Sequence, residues 1–451
     1  MKGLRIDPLS IILQFIKFSI MEQFEESNEI NTVCLLFQKL YLRFALVFFG
    51  LHIFPFPLTE IPNWGESVYR WVEKGYIMFA NWGGKLFFNT PEFATLTNGS
   101  GDTTASWVLE FLMLLLSALI CLIWQLADRR KRDDTALNYW TQVWVRYYLC
   151  FVMFSYGFGK VFPLQFGTMT SYRLHQSLGD MSPMGLLWTF MAYSPEYQMF
   201  SGLAEVLCGI LLFFRRTQLL GALIACGVML NIFALNMCYD VPVKIYSFLL
   251  MLMAIYIASD DAKRLINFFI QNKTAESHKL FMPFLGQKWY KIGRIALKTA
   301  LFGLLIYTYI YKNLEDNAKS DEPLTAFYGP YTVSKFIKNG IESPESDTLR
   351  WEKMFIDRRG AYNMIYVSNE MNLGQRIFFE KNDTAHTVTF EPLPDTTKYV
   401  LNYYQVDSNQ LIIKGKLQKD SLQIELKKMK KKEFLLTKRG FRWINEMPFN
   451  R

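Results

Sequence analysis

The sequence predicts a bundle of about seven transmembrane α-helices followed by a C-terminal antiparallel β domain, either a small barrel or a sandwich. Hydrophobic residues make up 51% of the 451 residues and aromatic residues 16%. The mean hydropathy of +0.09 excludes a disordered chain. Long apolar runs crowd the region before residue 312, whereas the region after it alternates and carries dense charge. The first region is therefore expected in the membrane and the second in aqueous solvent.

The transmembrane domain is expected over residues 33–311. A spanning helix needs about 20 mostly apolar residues to cross ~30 Å of hydrocarbon. About seven stretches approach this length: 33–58, 105–127, 138–161, 197–214, 217–238, 241–259 and 292–311. The fifth and sixth are separated only by the turn at Cys238-Tyr239-Asp240 and by Pro242, so we expect them to form a hairpin.

An N-terminal cytoplasmic or interfacial segment is expected over residues 1–32. Apolar residues such as Leu9, Ile12 and Phe15 recur there at helical spacing. This pattern predicts a helix that lies flat on the membrane, and a disordered leader is the alternative.

Lys and Arg gather in alternate short segments, which predicts the orientation in the membrane. About 13 of them lie in 128–136, 215–216 and 260–296, against about 4 in 59–104, 161–196 and 239–243. Because the cytoplasmic side retains Lys and Arg, the N-terminus is expected in the cytoplasm and the region after Lys312 in the periplasm of a bacterial inner membrane. This topology also accounts for the net charge of +9 without a nucleic-acid partner.

An extracytoplasmic β-rich domain is expected over residues 312–451. From about residue 345 onward, apolar and polar residues alternate in short runs such as HTVTFE and SLQIELKK. Turn-forming residues such as Asp407 to Asn409 separate the runs, and the pattern predicts roughly eight or nine strands. The run KKMKKKEF is interpreted as a solvated turn, with a basic patch for anionic headgroups as the alternative.

Cysteine and histidine usage argues against several kinds of centre. All 6 cysteines fall inside or at the ends of apolar runs, and no C-x-x-C occurs, which argues against disulfides and a dithiol redox centre. The 4 histidines lack the spacing that places two ligands on one helical face. Haem, zinc and other metal sites are therefore not expected.

Three ionisable residues lie well inside predicted spans, where an unpaired charge costs several kcal/mol. Arg43 is on the first span, Arg146 on the third and Glu205 on the fourth. The helical rise of about 1.5 Å per residue places all three near the middle of the membrane. We expect them to form a structural charge cluster that ties helices together.

A ligand-binding site is expected in an outward-facing cavity of the bundle. Its candidate residues are polar and lie near the outer ends of the spans or in loop 98–104: Tyr156, Lys160, Glu205, Asn231, Asn236, Asp240 and Asp102. Asp102 is expected either to cap the second helix or to lie at an anion-binding loop. The segment 175–191 contains an apolar stretch after Ser182-Pro183 that is too short to span, and we expect it to roof the cavity.

The stretch from Tyr147 to Ala258 contains YGFGK, QSLGDMSPMGLLWTFMAYSPEYQMFSGLAEVLCGILLFFRRT, GALIACGVMLN and YDVPVK. With the small-residue and Glu pattern from Gly202 to Gly209, followed by a basic turn, it resembles the DoxX-like membrane proteins, in a long Bacteroidetes-type form with a C-terminal extramembrane domain. The resemblance implies a helical bundle with a DoxX-like core at about 138–259. For some members it implies a subunit of a quinone-linked thiosulfate oxidation system or of a membrane redox assembly.

Two functions from different classes follow as hypotheses. The first is binding of a lipid-soluble small molecule, such as a quinone, as part of a membrane redox reaction. The catalytic candidates are then Lys160 or His175, donating a hydrogen bond to the quinone oxygen, and Glu205, relaying protons. The second is a non-catalytic membrane partner or assembly factor that binds an envelope protein through residues 312–451. The sequence leaves open whether the chain is an enzyme.

Overall fold

The computed structural model describes residues 28–450 apart from 129–133, 276–286, 321–324, 345–346, 348–349, 360–361, 369–374, 393–396 and 430–433. Most of the predicted N-terminal segment and the centres of the two basic runs near 131 and 431 lie outside the described residues. The chain divides into two compact units, with boundaries after residues 158, 202 and 310. Segments 159–202 and 311–451 form the second unit, which we call the barrel unit, and the rest is the helical unit.

Thirteen helices occur in the described part of the chain. In order they are α1 (Asn28–Ile53), α2 (Gly65–Gly83), α3 (Thr104–Ala127), α4 (Thr135–Val161), α5 (Ser171–His175), α6 (Pro183–Tyr193), α7 (Pro195–Phe213), α8 (Gln218–Cys238), α9 (Lys244–Ser259), α10 (Ala262–Leu265), α11 (Lys288–Leu305), α12 (Lys312–Ser320) and α13 (Leu435–Lys438). A π-helical turn, Ile306–Tyr311, continues α11 into α12.

The chain is a multi-pass membrane protein. Among the described residues, 5 helical stretches are long and apolar enough to span a bilayer: Leu36–Glu60, Thr104–Ala127, Pro195–Phe213, Gln218–Cys238 and Lys288–Ala318. A sixth is possible if α9 and Ala262–Ile270, which meet at 79°, count as one span. The predicted third span is present as helix α4, but α4 is less apolar because it carries residues such as Gln142 and Arg146.

The predicted hairpin of the fifth and sixth stretches is confirmed. Helices α8 and α9 pack against each other, and the turn between them has Asp240 in the left-handed region, with φ of 51°. Buried Asn236 near the end of α8 donates a hydrogen bond of 3.0 Å to Ser247 Oγ on α9. Elsewhere in the helical unit, α3 packs against both α1 and α2.

The C-terminal region is an antiparallel β-barrel. Its strands are β1 (Gly329–Lys338), β2 (Ile341–Glu342), β3 (Lys353–Arg359), β4 (Tyr362–Ser368), β5 (Gln375–Asn382), β6 (Thr387–Pro392), β7 (Tyr399–Gln405), β8 (Gln410–Leu417) and β9 (Asp420–Lys428). Neighbours pair in chain order except that β1 pairs with β3 and also with β9, which closes the sheet. The short β2 pairs with β1 at the edge of the sheet order. The barrel alternative of the sequence prediction is therefore the correct one.

Alternating side chains fill the inside of the barrel. On β6, for example, Val388 and Phe390 are fully buried while the alternate residues Thr387, Thr389 and Glu391 are half-buried. An eight-stranded barrel has an interior just wide enough for side chains, and this one holds a continuous apolar cluster that includes Phe327, Ile365 and Ile413. The interior of the barrel is thus filled by packed side chains.

The barrel unit also includes the segment between α4 and α7. Buried Asp357 on β3 accepts hydrogen bonds from the Ser171 and Tyr172 backbone N–H groups at the start of α5. The Tyr172 ring stacks on Tyr366 of β4, with centroids 4.4 Å apart. The predicted short helix after Ser182 is confirmed as α6, where the Ser182 hydroxyl accepts a hydrogen bond from the Gly185 N–H.

Candidate functional site

A cavity of about 380 Å³ lies in the helical unit. Its wall comes from the end of α1 and the turn after it, from α2, α4 and α9, and from the π-helical turn after α11. The lining residues are His52, Ile53, Phe54, Pro55, Phe56, Thr59, Glu60, Tyr69, Tyr148, Phe151, Val152, Ser155, Tyr156, Tyr246 and Tyr309. Five tyrosines, a histidine and a glutamate thus supply hydroxyl, imidazole and carboxylate groups to a largely aromatic wall.

Two hydrogen-bonded pairs, one hydroxyl–carboxylate and one hydroxyl–hydroxyl, organise the polar part of the wall. Tyr309 donates a hydrogen bond of 2.8 Å to Glu60 Oε2. The hydroxyls of Tyr148 and Tyr246 lie 3.2 Å apart and share a hydrogen bond. The Tyr309 ring meets the edge of Phe151 at a centroid distance of 6.3 Å. The cavity therefore combines stacking surfaces with donors and an acceptor at fixed positions.

His52 joins the cavity to a half-buried carboxylate, that of Glu110. Its Nδ1 lies 2.7 Å from the Phe48 carbonyl oxygen, and its Nε2 lies 2.9 Å from Glu110 Oε2. Because the carbonyl can only accept, Nδ1 carries a proton. The bond to Glu110 then needs a second proton, held either by Nε2 or by the carboxyl group. The pair can therefore hold an exchangeable proton beside the cavity.

The predicted ligand-binding residues are only partly brought together. Tyr156 lines the cavity, and buried Glu205 interacts electrostatically with Tyr156 without lining it. Asn236 is engaged with Ser247 in the α8–α9 hairpin. The structure contradicts the placement of Asn231 and Asp240 in a cavity, because both side chains are exposed and Asp240 pairs with Lys244 at 3.0 Å.

Asp102 has a capping role, but on a different helix from the one predicted. Its carboxylate accepts hydrogen bonds of 2.8 and 3.1 Å from the backbone N–H groups of Lys244 and Ile245. It therefore caps α9, whereas Thr103 caps α3 by accepting from the Ser106 N–H. The Asp102 oxygens are occupied by these bonds, and this argues against a ligand role.

The other two catalytic candidates belong to the barrel unit. Lys160 is buried and lines neither cavity described in this section. His175 lines a separate pocket of about 360 Å³ together with Tyr172, Gln176, Ser177, Asp180, Lys353, Phe355 and Ser368. Its Nδ1 donates to the Ser171 carbonyl oxygen at 2.7 Å, and its ring packs on Phe355. His175 and Tyr156 therefore line different pockets.

The predicted cluster of Arg43, Arg146 and Glu205 is wrong. Arg43, only 1% exposed, pairs instead with Asp128 at 2.7 Å and with Asp134 at 3.6 Å. Arg146 donates to Gln218 Oε1 at 2.9 Å. The three residues were predicted at a similar depth in the membrane. Their side chains do not meet, because each lies on a helix face that contacts different neighbours.

Sequence reasoning predicted Tyr156 but missed the other residues that define the cavity. For His52 and Glu110 a usable signal existed, because both are ionisable residues within apolar runs and a charge inside a membrane span is costly. Glu60 and Tyr309 had no such signal, since one ends a span and the other is an ordinary aromatic residue near the end of another. Among the described residues, no group of three or more His, Cys, Asp or Glu side chains is placed to hold a metal ion.

Comparison with known proteins gives a relative for part of the chain. No protein-family model matches the sequence, and no solved structure matches it. Over 126 residues, which are 28% of this chain, it is 35% identical to the "Uncharacterized protein YwoB" of Bacillus subtilis (strain 168). The matched residues cover 80% of that protein, and the chain therefore belongs to the same family as YwoB.

Proposed function

We propose that the tyrosine-lined cavity binds a lipid-soluble small molecule with a flat polar ring. The proposed molecule is a quinone, whose headgroup occupies the cavity as part of a membrane redox reaction. The cavity volume of about 380 Å³ falls in the range of about 300–1,000 Å³ found for small-molecule sites. The observation that carries the proposal is an aromatic wall that also holds the hydrogen-bonded pairs Tyr309–Glu60 and Tyr148–Tyr246.

Quinone chemistry suits these groups. The two carbonyl oxygens of a quinone accept hydrogen bonds, and Tyr148 or Tyr246 can donate one. Phe56 and Phe151 offer ring edges and faces to a flat ligand. A quinone that is reduced takes up protons, and the His52–Glu110 pair is a proton store beside the site. His52 and Glu110 thus replace Lys160 and His175 as the favoured polar partners in this proposal.

The family and the location belong to the same proposal. The motifs between Tyr147 and Ala258 support membership of the DoxX-like proteins, for some of which a quinone-linked redox role is expected. The Lys and Arg bias supports a bacterial inner membrane with the N-terminus in the cytoplasm and the barrel in the periplasm. In that orientation Glu60, at the end of the first span, and the cavity beside it face outward.

Ligand titration of the detergent-purified full chain tests the binding proposal. A soluble naphthoquinone should quench the intrinsic fluorescence saturably and raise the melting temperature. Tyr148→Phe and Tyr309→Phe should each weaken binding about five- to ten-fold, because each removes a hydroxyl with little change in volume. Tyr41→Phe is the matched control, since it loses a hydrogen bond to Ser259 outside the cavity. Equal affinity in all three variants, or no saturable binding, contradicts the proposal.

A second candidate is an envelope partner bound through the barrel. Strand β7 and the residue after it carry an exposed apolar strip made of Val400, Tyr404 and Val406, which are 62%, 53% and 60% exposed. Large exposed apolar patches mark interaction sites on water-facing surfaces. Changing Val400 and Tyr404 to lysine should then abolish co-purification of the partner while naphthoquinone binding persists. Unchanged co-purification argues against this candidate.

A further inference from the structure

Positive charge and large apolar side chains are concentrated in residues 427–451, which we call the basic–aromatic segment. It contains nine Lys or Arg and two Asp or Glu, so it carries +7 of the chain's net charge of +9. It begins with the basic run KKMKKKEF and ends with RGFRWINEMPFNR, in which arginine alternates with aromatic and aliphatic residues. The large apolar side chains after Arg439 belong neither to the tyrosine-lined cavity nor to the barrel core.

Four large apolar side chains of this segment are open to solvent. Phe441, Trp443, Ile444 and Met447 are 78%, 90%, 77% and 79% exposed. Single exposed apolar residues are ordinary on a protein surface, but these four lie within seven consecutive residues. Such a concentration of exposed apolar surface marks a site of interaction with a protein or a membrane.

The four side chains project from a loop that is folded on itself. Gly440, with φ of 65°, turns the chain after α13. Arg439 donates a hydrogen bond to the side-chain oxygen of Asn445, and Asn445 Nδ2 donates to the Arg442 carbonyl oxygen at 3.4 Å. The Arg439 guanidinium also lies 4.1 Å from the centre of the Phe449 ring. Polar groups thus hold the loop together, while its apolar side chains stay exposed.

The basic–aromatic segment leaves the barrel beside the start of its first strand. Lys428, the last residue of β9, pairs with Tyr331 near the start of β1. The Met429 N–H donates to the Pro330 carbonyl oxygen at 2.9 Å, and Lys428 Nζ donates to the Ala326 carbonyl oxygen at 2.9 Å. The chain therefore enters β1 and leaves β9 at the same end of the barrel.

A short linker joins this end of the barrel to a predicted membrane span. Ten residues, 319–328, connect the apolar stretch Lys288–Ala318 to β1. An extended chain covers at most about 3.6 Å per residue, so this linker reaches at most about 36 Å. Since β9 ends beside the start of β1, the basic–aromatic segment leaves the barrel with a bilayer held close to it by the chain itself. Such a tether keeps a lipid surface at high effective concentration.

We propose that the basic–aromatic segment binds an anionic lipid surface. Tryptophan favours the membrane–water interface, and Phe441, Ile444 and Met447 would leave water there. The excess of Lys and Arg, among them Arg439 and Arg442, attracts acidic headgroups. Apolar burial and charge attraction add together in segments of this kind. The basic run KKMKKKEF then has the headgroup-binding role that the sequence offered as the alternative to a solvated turn.

Contact with lipid is measured on the full chain reconstituted in nanodiscs. One set of discs contains phosphatidylcholine, and the other contains phosphatidylcholine mixed with phosphatidylglycerol. In a cysteine-free background, Ile444→Cys carries an environment-sensitive fluorophore, and brominated lipids quench the fluorophore only where it touches them. Lys419→Cys is the matched control, because exposed Lys419 lies in the turn before β9, at the opposite end of that strand from Lys428.

The label at position 444 should shift its emission to the blue and be quenched about five-fold more in discs with phosphatidylglycerol than in neutral discs. Added salt should reduce this difference, because it screens the exposed charges. Trp443→Ser and Arg442→Gln should each reduce the quenching, since one removes an interfacial ring and the other a cation. Both side chains are exposed, so the barrel should keep its melting temperature in these variants. The label at position 419 should show no quenching in either disc.

Three results would overturn the proposal. Quenching at position 444 that does not exceed the quenching at position 419 excludes lipid contact. Equal quenching in the two kinds of disc excludes recognition of anionic lipid. A blue shift without quenching by brominated lipid shows that a protein surface, and not the bilayer, covers the segment.

Discussion

The hydroxyl of Tyr309 donates a 2.8 Å hydrogen bond to Glu60, which joins the last apolar helix to the turn after the first one. Tyr309→Phe should therefore lower the stability of the helical unit by about 0.5–1.5 kcal/mol, since it removes one hydrogen bond to a half-buried carboxylate. Hydrogen exchange of the amides in Ile306–Tyr311 should accelerate with it. Glu60→Gln keeps an acceptor oxygen and should cost less. Equal losses in the two variants would contradict this account of the bond.

The pairing of Arg43 predicts a large effect of neutralising it. Arg43→Gln should destabilise the helical unit by about 3–5 kcal/mol, because it leaves the two carboxylates that now surround a buried guanidinium without their cation. Thermal unfolding in detergent measures the change. Arg70→Gln, which breaks an exposed pair on α2, should change stability by less than about 1 kcal/mol. Similar melting temperatures for both variants would show that burial does not set the strength of the Arg43 pairs.

Asp357 should hold helix α5 on the barrel. Its carboxylate accepts from the Ser171 N–H, the Ser171 hydroxyl and the Tyr172 N–H at 2.6 to 3.2 Å. Asp357→Ala should destabilise the barrel unit by about 1–3 kcal/mol and accelerate hydrogen exchange at residues 171–176. Asp357→Asn retains one acceptor oxygen and should fall between the wild type and Asp357→Ala. Unchanged exchange in Asp357→Ala would rule out the capping role.

The barrel should lose stability in acid through Asp383. Hydrogen bonds from Lys381 and then from Tyr403 hold the pKa of the Asp383 carboxyl below its ordinary value. A group whose pKa is lower in the folded state stabilises the fold above roughly pH 4, and that stabilisation is lost as the pH falls through the folded-state pKa. Asp383→Asn should therefore melt below the wild type at pH 6, and the difference should shrink as the pH falls below about 4. A constant difference between the two melting curves would show that Asp383 does not contribute through its charge.

The proposed orientation predicts which loops a membrane-impermeant maleimide reaches in spheroplasts. In a cysteine-free background, Ser408→Cys in the turn between β7 and β8 should react. Thr274→Cys, in the basic segment that follows α10, should not react until the membrane is permeabilised. Both residues are exposed, so burial in the fold does not bias the comparison. The opposite pattern would place the barrel in the cytoplasm.

The sequence by itself determined the local elements of this protein. Apolar runs of spanning length predicted α3, α7 and α8 closely and α1 with displaced ends, and the period-two alternation after residue 345 predicted the strands from β3 onward. The Ser182 cap and the α8–α9 hairpin were also predictable. Each of these features depends on residues close together in the chain, where helical or strand periodicity and turn chemistry act directly.

Tertiary structure alone decided which faces meet. Closure of the barrel depends on the pairing of β1 with β9. Arg43 binds Asp128, 85 residues away in the sequence, rather than Glu205. Asp102 caps a helix that begins 142 residues later, and the cavity exists only because Glu60, Tyr148, Tyr246 and Tyr309 come from four separate segments. Depth and polarity can be read along one chain segment, but partner choice depends on the rotation and packing of whole helices, which no single segment encodes.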